Sequence, residues 1–316
     1  MNISKNSSTI DFEILRILRQ VTGWTDLVLV MIGLVGNFFI LANTIRRKVR
    51  IFTKFFLISE AMSDSLVLVF PGIRYFVLIV LNDDIQNDSN FICIFHSFVT
   101  YLVTDFSAWI LIILSLERYL LVKFPFNKRL KDLSLFHAIS FSCVMFALGF
   151  LKNFIFFTAV IDPDTEVCFL GNMKLQLLIT VLDMIFNLII PSTLVLFCTI
   201  GSIIGIKRHI LKISSNLKPI SDTNYGSQIL RMILAISVYH LITSLPLFCV
   251  LIIIKVTDVF YFYGDQLLYT FDLACALYIS NNSLKFYLYC FSSKSFRKMF
   301  ILLIHDVKIK FGSLIK

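Results

Sequence analysis

Ala108-Trp109-Ile110-Leu111-Ile112-Ile113-Leu114-Ser115-Leu116-Glu117-Arg118-Tyr119 decides how this chain folds. A mostly apolar stretch that begins near residue 94 ends abruptly in an acid, a guanidinium and a phenol. A helix on the surface of a soluble domain spreads its polar groups along one face. Here the charges gather at one end, so the stretch reads as a membrane-spanning helix whose charged end reaches the water boundary. Six further apolar stretches flank it, at 26–45, 54–82, 134–158, 176–206, 228–255 and 266–291, each near or above the about 20 residues that a spanning helix needs. The composition agrees, since 316 residues at 58% hydrophobic and 16% charged, with mean hydropathy +0.85, exceed what one polar exterior covers. Long continuous runs favour helices over barrel strands, which alternate over roughly 10 residues. The expected fold is an all-α membrane protein, a seven-transmembrane helix bundle. It divides into an extracellular N-terminus (1–25), the bundle (26–291), and a short amphipathic helix with a cytoplasmic tail (292–316). No uninterrupted apolar core lies within Met1 to Gln20, so no cleaved signal peptide is expected.

Orientation follows from the short connections, which concentrate Lys and Arg on the cytosolic side. The first holds Arg46, Arg47, Lys48, Arg50 and Lys54, the third Lys123, Lys128, Arg129 and Lys131, and the fifth Lys207, Arg208, Lys212 and Lys218. The even connections are acidic or mixed: Asp83, Asp84 and Asp88, then Asp162, Asp164 and Glu166, then Lys255, Asp258 and Asp265. The N-terminus is therefore expected outside the plasma membrane. Glycosylation sequons at Asn2, Asn6 and Asn87 fall on that outer side. The net charge of +9 marks topology and attraction to anionic membrane lipid, and nucleic acid is not an expected partner.

Of seven cysteines, Cys93 and Cys168 lie at outer ends or loops where oxidation is allowed, and form the best disulfide pair. Such a bridge ties the top of the third span to the Thr158 to Gly171 stretch, which reads as a hairpin around Asp162-Pro163-Asp164. Cys143, Cys198, Cys249, Cys275 and Cys290 read as packing residues. No metal-ligand spacing joins them to a histidine, and no cofactor is implied.

The ordered set resembles the rhodopsin-like (class A) G-protein-coupled receptors over nearly the whole chain. Gly36-Asn37 resembles the first-helix motif, Glu60-Ala61-Met62-Ser63-Asp64 the second, and Leu116-Glu117-Arg118-Tyr119 with Pro125-Phe126 the third helix and following loop. Cys93 stands 25 residues before Arg118, the family spacing. Pro191 and Pro246 take kinking positions, and Tyr289 with Phe296-Arg297 resembles the end of the seventh helix. The replacement of the seventh-helix proline by Phe in Lys285-Phe286-Tyr287-Leu288-Tyr289 also resembles invertebrate neuropeptide receptors of the FMRFamide type. The resemblance implies an extracellular peptide or small-molecule ligand and a heterotrimeric G protein as partners, with no enzymatic activity.

Arg118 paired with Glu117 in the resting state offers a planar donor to the partner once released; alone it would be read as a snorkelling anchor. The resemblance adds that Phe126 inserts into the G protein. No acid stands at the inner start of the sixth span, so appreciable basal activity is expected. In the core, the resemblance makes Asp64, Ser107 and Asn281 part of a sodium-binding set, but Lys285 occupies the asparagine position. Either Lys285 pairs with Asp64 in place of sodium, or it snorkels to the inner surface. For the ligand, the charged candidates are Arg74, Asp105, Asp183 and Asp272. They are flanked by aromatic groups including Tyr75, Phe76, Tyr101, Tyr269 and Phe271, a mixture suited to a peptide with a basic residue. Thr100 at the amine-receptor aspartate position argues against a monoamine, and Ile279 argues against an opsin. The usual sixth-span Phe and Trp are absent, so the chain reads as a divergent member. The rival readings are a seven-helix chemoreceptor for small molecules and a ligand-gated channel of inverted topology.

Overall fold

The computed structural model describes residues 3–46, 49–163, 166–214, 222–256, 260–292, 297–298 and 300–302. Seven long helices make up most of them. Helix α1 spans Ile3–Arg46. Helix α2 starts over Ile51–Val67, widens into a π turn at Leu68–Gly72 around Pro71, and resumes at Ile73–Phe76 before a second wide turn at Val77–Leu81. Helix α3 is Asn90–Lys123, and α4 is Leu135–Asn153 continued by a tighter turn over Phe154–Thr158. Helix α5 runs through Met173–Asp183, a wide turn at Met184–Ile189, and Ile190–Ser214. Helices α6 and α7 are Asp222–Val256 and Phe260–Ser292. The first wide turn of α2 and the wide turn of α5 accompany Pro71 and Pro191, because a proline lacks the N–H for its helical bond and displaces the carbonyl one turn back.

Each expected span lies on one of these helices, with 54–82 and 134–158 overrunning theirs by one residue each. Among the described residues, five helical segments are long and apolar enough to cross a membrane: Glu13–Arg46, Ile51–Leu81, Asn90–Lys123, Leu135–Thr158 and Lys174–Arg208. Val238–Ile254 is a shorter apolar segment in α6. Helix α7 dilutes its apolar character with Asp272, Ser280, Asn281, Asn282, Ser283 and Lys285, all buried. The bundle is thus polar inside and apolar outside. Phe136, Phe141, Leu151, Phe197 and Ile242 point outward, and only 11% of the apolar window of α4 is buried. That arrangement suits hydrocarbon as solvent, where polar side chains turn inward to find partners.

Helix α1 packs on α2 and α7, α3 on α2, α4 and α5, and α6 on α5 and α7. Two glycines permit close approach. A Cβ on Gly33 would stand 2.7 Å from the Ser283 Cα, and one on Gly201 2.6 Å from the Tyr119 ring.

Asn82 closes α2 in a left-handed conformation at φ 54°, which asparagine tolerates better than most residues. Ser89 then caps α3 by accepting from Ile92 N at 3.2 Å. Between α4 and α5 lies an antiparallel hairpin, β1 (Ala159–Ile161) and β2 (Cys168–Leu170), in the register Ala159 to Leu170 and Ile161 to Cys168. Cys93 and Cys168 are disulfide-bonded, which fastens the hairpin to the start of α3.

At the two ends of the chain, the structure departs from the expected divisions or covers them in part. Helix α1 extends the first span by more than twenty residues, held in part by Arg19, whose Nε donates to Asp272 of α7 at 2.6 Å. Of the segment expected to form an amphipathic helix, residues 297–298 and 300–302 are helical and the remainder lies outside the described residues. Arg297 donates to the terminal carbonyls of Cys290 and Phe291 at 2.8 and 2.9 Å. Phe300 packs edge-on against Phe39 and Phe286, each at 5.0 Å.

Candidate functional site

A cavity of about 340 Å³ opens beneath the hairpin. Its walls come from α2, α3, α5, α6 and α7, and Cys168, Phe169 and Leu170 of the hairpin close over it. Arg74, Thr100, Tyr101 and Asp183 of the expected ligand residues lie on its wall; Asp105, Tyr269 and Asp272 do not. Asp105 is turned toward α4, where its carboxylate accepts from Lys152 Nζ at 2.6 Å and from Asn153 Nδ2 at 2.7 Å. Asp272 is taken up by Arg19.

Arg74 is bound in a two-point grip, Nε and Nη2 each donating to one carboxylate oxygen of Asp84 at 2.7 Å. Burial opposes the Asp84 charge, but the hydrogen bonds and charge of Arg74, aided by Gln86 N at 3.1 Å, outweigh it and hold the carboxyl below the usual carboxylate range. Beside it, Gln86 Nε2 reaches His96 Nδ1 at 3.0 Å and donates to Ser97 Oγ at 3.2 Å. Asn87, one of the sequon residues, accepts from Cys168 N at 2.9 Å. Asn2 lies outside the described residues, and the Asn6 side chain is not described.

Sequence reasoning missed the lysine that organises the cavity wall. Lys152 of α4 bridges Asp105 on α3 and Asp183 on α5, at 2.6 and 2.5 Å. The signal was present, because a lysine inside the 134–158 stretch is an intramembrane charge by the same rule that selected the aspartates. Asp26 was missed in the same way. It is wholly buried in α1 with neither carboxylate oxygen hydrogen-bonded.

From the floor of the cavity a line of polar groups descends along α6 and α7. His240 Nε2 lies 3.1 Å from the Asn187 carbonyl, and its Nδ1 lies 3.1 Å from Asn281 Nδ2. One turn below Asn281 stands Lys285, whose Nζ is 2.9 Å from Asp64 and 3.3 Å from Glu60. Ser107 Oγ donates to Asp64 at 2.7 Å. Tyr289 OH donates to the other Glu60 oxygen at 3.1 Å. Of the two dispositions left open for Lys285, the structure has the buried one. Glu60, quoted only as part of a motif, completes the cluster. Asn37 Nδ2 donates to the Asn282 carbonyl at 3.5 Å and joins α1 to α7 nearby.

At the far end of the bundle the pairing differs from expectation. Glu117 accepts from Thr53 Oγ1 at 2.7 and 2.9 Å and from Arg50 at 3.4 Å, and Arg50 in turn donates to the Leu130 carbonyl. Arg118 makes no hydrogen bond or ion pair with any described residue. Neighbouring residues on a helix diverge by roughly 100°, so the turn of Glu117 to α2 carries its carboxylate away from Arg118, which is half-buried. Tyr119 accepts from Lys123 Nζ at 3.1 Å and packs against Phe197 of α5. Pro125 and Phe126 follow α3 on the connecting turn, where Phe126 is 91% exposed.

A helical bundle with an apolar exterior, a disulfide-tied hairpin over a largely apolar cavity and a Glu-Arg-Tyr sequence at the opposite end is the architecture of a multi-pass membrane protein. The family described as 7 transmembrane receptor (rhodopsin family) matches residues 36–291, and the chain belongs to it. No curated protein matches the chain.

Proposed function

We propose that this rhodopsin-family receptor works in the plasma membrane with its hairpin end outside. There it binds an extracellular peptide in the cavity under the hairpin, and through Arg118 it promotes nucleotide exchange on a heterotrimeric G protein. The observation that carries the reading is the pairing of two ends in one bundle. One end holds a largely apolar cavity with Arg74, Asp183 and three tyrosines on its wall; the other leaves a guanidinium without a partner among the described residues, and Phe126 exposed on the turn that follows. A volume of about 340 Å³ lies at the small end of the roughly 300–1,000 Å³ of ligand sites. It admits the terminal residues of a peptide, with the rest of the chain lying across the hairpin. The Lys- and Arg-rich cytosolic connections also favour contact with anionic lipid.

The coupling is tested by nucleotide exchange on purified heterotrimeric G proteins of the main classes, mixed with membranes carrying the receptor. Exchange above receptor-free membranes, reduced about tenfold or more by Arg118→Ala, supports the reading; tenfold corresponds to about 1.4 kcal/mol, less than a charge-assisted hydrogen bond is worth. Exchange unaffected by Arg118→Ala, in a variant that reaches the surface as the native chain does, counts against it.

A further inference from the structure

We propose that the cavity recognises a guanidinium group, and that the receiving pair is Asp183 and Asn187 on α5. The inference rests on the receptor reading above and deepens it. Among the charged candidates, all but one have their charges fully engaged elsewhere. Arg74 gives one edge of its guanidinium, Nε and Nη2, to Asp84, and the two charges balance each other. Asp105 gives one oxygen to Lys152 and the other to Asn153, and Asp272 pairs with Arg19 away from the cavity. Asp183 gives only one carboxylate oxygen to Lys152, and it lines the cavity although the residue is 4% exposed.

The local charges do not balance. Asp105 and Asp183 contribute two negative charges and Lys152 one positive charge, leaving one negative charge at the cavity wall. Arg74 and Asp84 cancel each other and cannot supply the missing cation. A second observation points to the same place. Asn187, also on the wall and 3% exposed, has a side-chain oxygen with no hydrogen-bond partner. A buried orphan acceptor carries a desolvation cost that a donor removes.

Asp183 and Asn187 are four residues apart across the wide turn Met184–Ile189, so both acceptors face one side of α5. Side chains at that spacing stand about 5–6 Å apart, a gap bridged by the several N–H donors of one planar guanidinium. Such a group supplies the missing charge and the missing donor together. The tyrosines and phenylalanines elsewhere on the wall, including Tyr101, Phe156 and Tyr278, accept an aromatic or apolar body attached to it.

Phenethylguanidine and its neutral counterpart of the same shape, phenethylurea, test this directly. Each is titrated against the full-length receptor in detergent micelles, with the unfolding temperature as readout. Phenethylguanidine should stabilise the wild-type receptor with an apparent affinity about tenfold or more above that of phenethylurea. Asp183→Asn should bring the two probes to within about twofold, while Asp183→Glu keeps the preference. Equal effects of the two probes on wild type, no effect of either, or an undiminished guanidine preference in Asp183→Asn would each overturn the assignment. Nucleotide exchange without any probe, measured on the same preparation, separates the two readings. Exchange without a guanidine preference removes the head-group assignment alone; a guanidine preference without exchange removes the coupling alone.

Discussion

Lys285 shows how a single side chain redefines the centre of the bundle. Asp64, Glu60 and Lys285 are all 2% exposed or less, so the ammonium is the counter-charge of two carboxylates in a low-dielectric interior. Deleting one partner of a buried pair typically costs about 3–5 kcal/mol, because the charge left behind has lost its solvent as well as its partner. Lys285→Asn should therefore lower the unfolding temperature, and sodium should restore part of the loss by entering the space between Asp64, Ser107 and the new amide. Unfolding scans in sodium chloride against N-methylglucamine chloride at equal ionic strength read this out. The wild type should not distinguish the salts, and a variant that also fails to distinguish them would show that the lysine does not stand in a cation's place. Pairing with Asp64 was one of the two dispositions that the sequence left open for this lysine. Glu60 was not legible as its second partner, since a glutamate one turn from Asp64 acquires meaning only when α7 is laid against α2.

At the scale of elements, close helix approach and the hairpin end set the tolerances. Where Gly33 of α1 meets Ser283 of α7, a new methyl group would meet the movable Leu68 Cδ1 at 2.6 Å and also main chain, the Ser283 Cα at 2.7 Å, which cannot rotate away. Gly33→Ala should cost about 1–3 kcal/mol as the helices separate, seen as a lower unfolding temperature in micelles. An unchanged temperature would mean that α1 shifts freely on α7. At the hairpin end, Arg74 and Asp84 give a pH prediction whose sign follows from the depressed carboxyl. A group held below its ordinary value contributes stability above that value, about 3.9 for aspartate, and loses it as the pH falls through the folded value. The difference in unfolding temperature between wild type and Asp84→Asn should be constant from pH 8 to about 5 and shrink only below about pH 4. A difference that fades between pH 7 and 5 would contradict the grip. The seven helices and the hairpin were legible because they depend on runs of apolar residues and on cysteines, which are properties of contiguous sequence. The wide turns at Leu68–Gly72 and Met184–Ile189 were legible only as prolines, and the one at Val77–Leu81, which has none, was not legible at all. Lys152 as the bridge of α3 and α5 was hidden for a related reason: rotation of α4 decides whether a charge faces lipid or the bundle.

Over the whole molecule, the balance between resting and signalling arrangements depends on what holds the Arg118 end. Expectation placed the restraint on Arg118 itself, through Glu117. In the structure Glu117 instead fastens α3 to α2 and to the first connection, while Glu60 of α2 holds α7 by accepting from Tyr289 and pairing with Lys285. Where the signalling arrangement breaks the Tyr289 bond, one hydrogen bond to a charged group worth about 1.5–3 kcal/mol, and keeps the Lys285 pairs, the minor state stands at roughly a few per cent or less, the range in which unliganded activity becomes measurable. Cells expressing the chain should accordingly show basal nucleotide exchange above empty-vector membranes. Glu60→Gln leaves a weaker neutral acceptor for Tyr289 and reduces the negative charge beside Lys285 without changing the side-chain shape. It should raise the basal rate about three- to tenfold, the effect of losing about half of that bond's contribution. Tyr289→Phe should act in the same direction, and the double variant should add little to either single one, because both remove one interaction. Independent, fully additive effects of the two changes would place the restraint elsewhere in the bundle, as would a basal rate that Glu60→Gln leaves untouched.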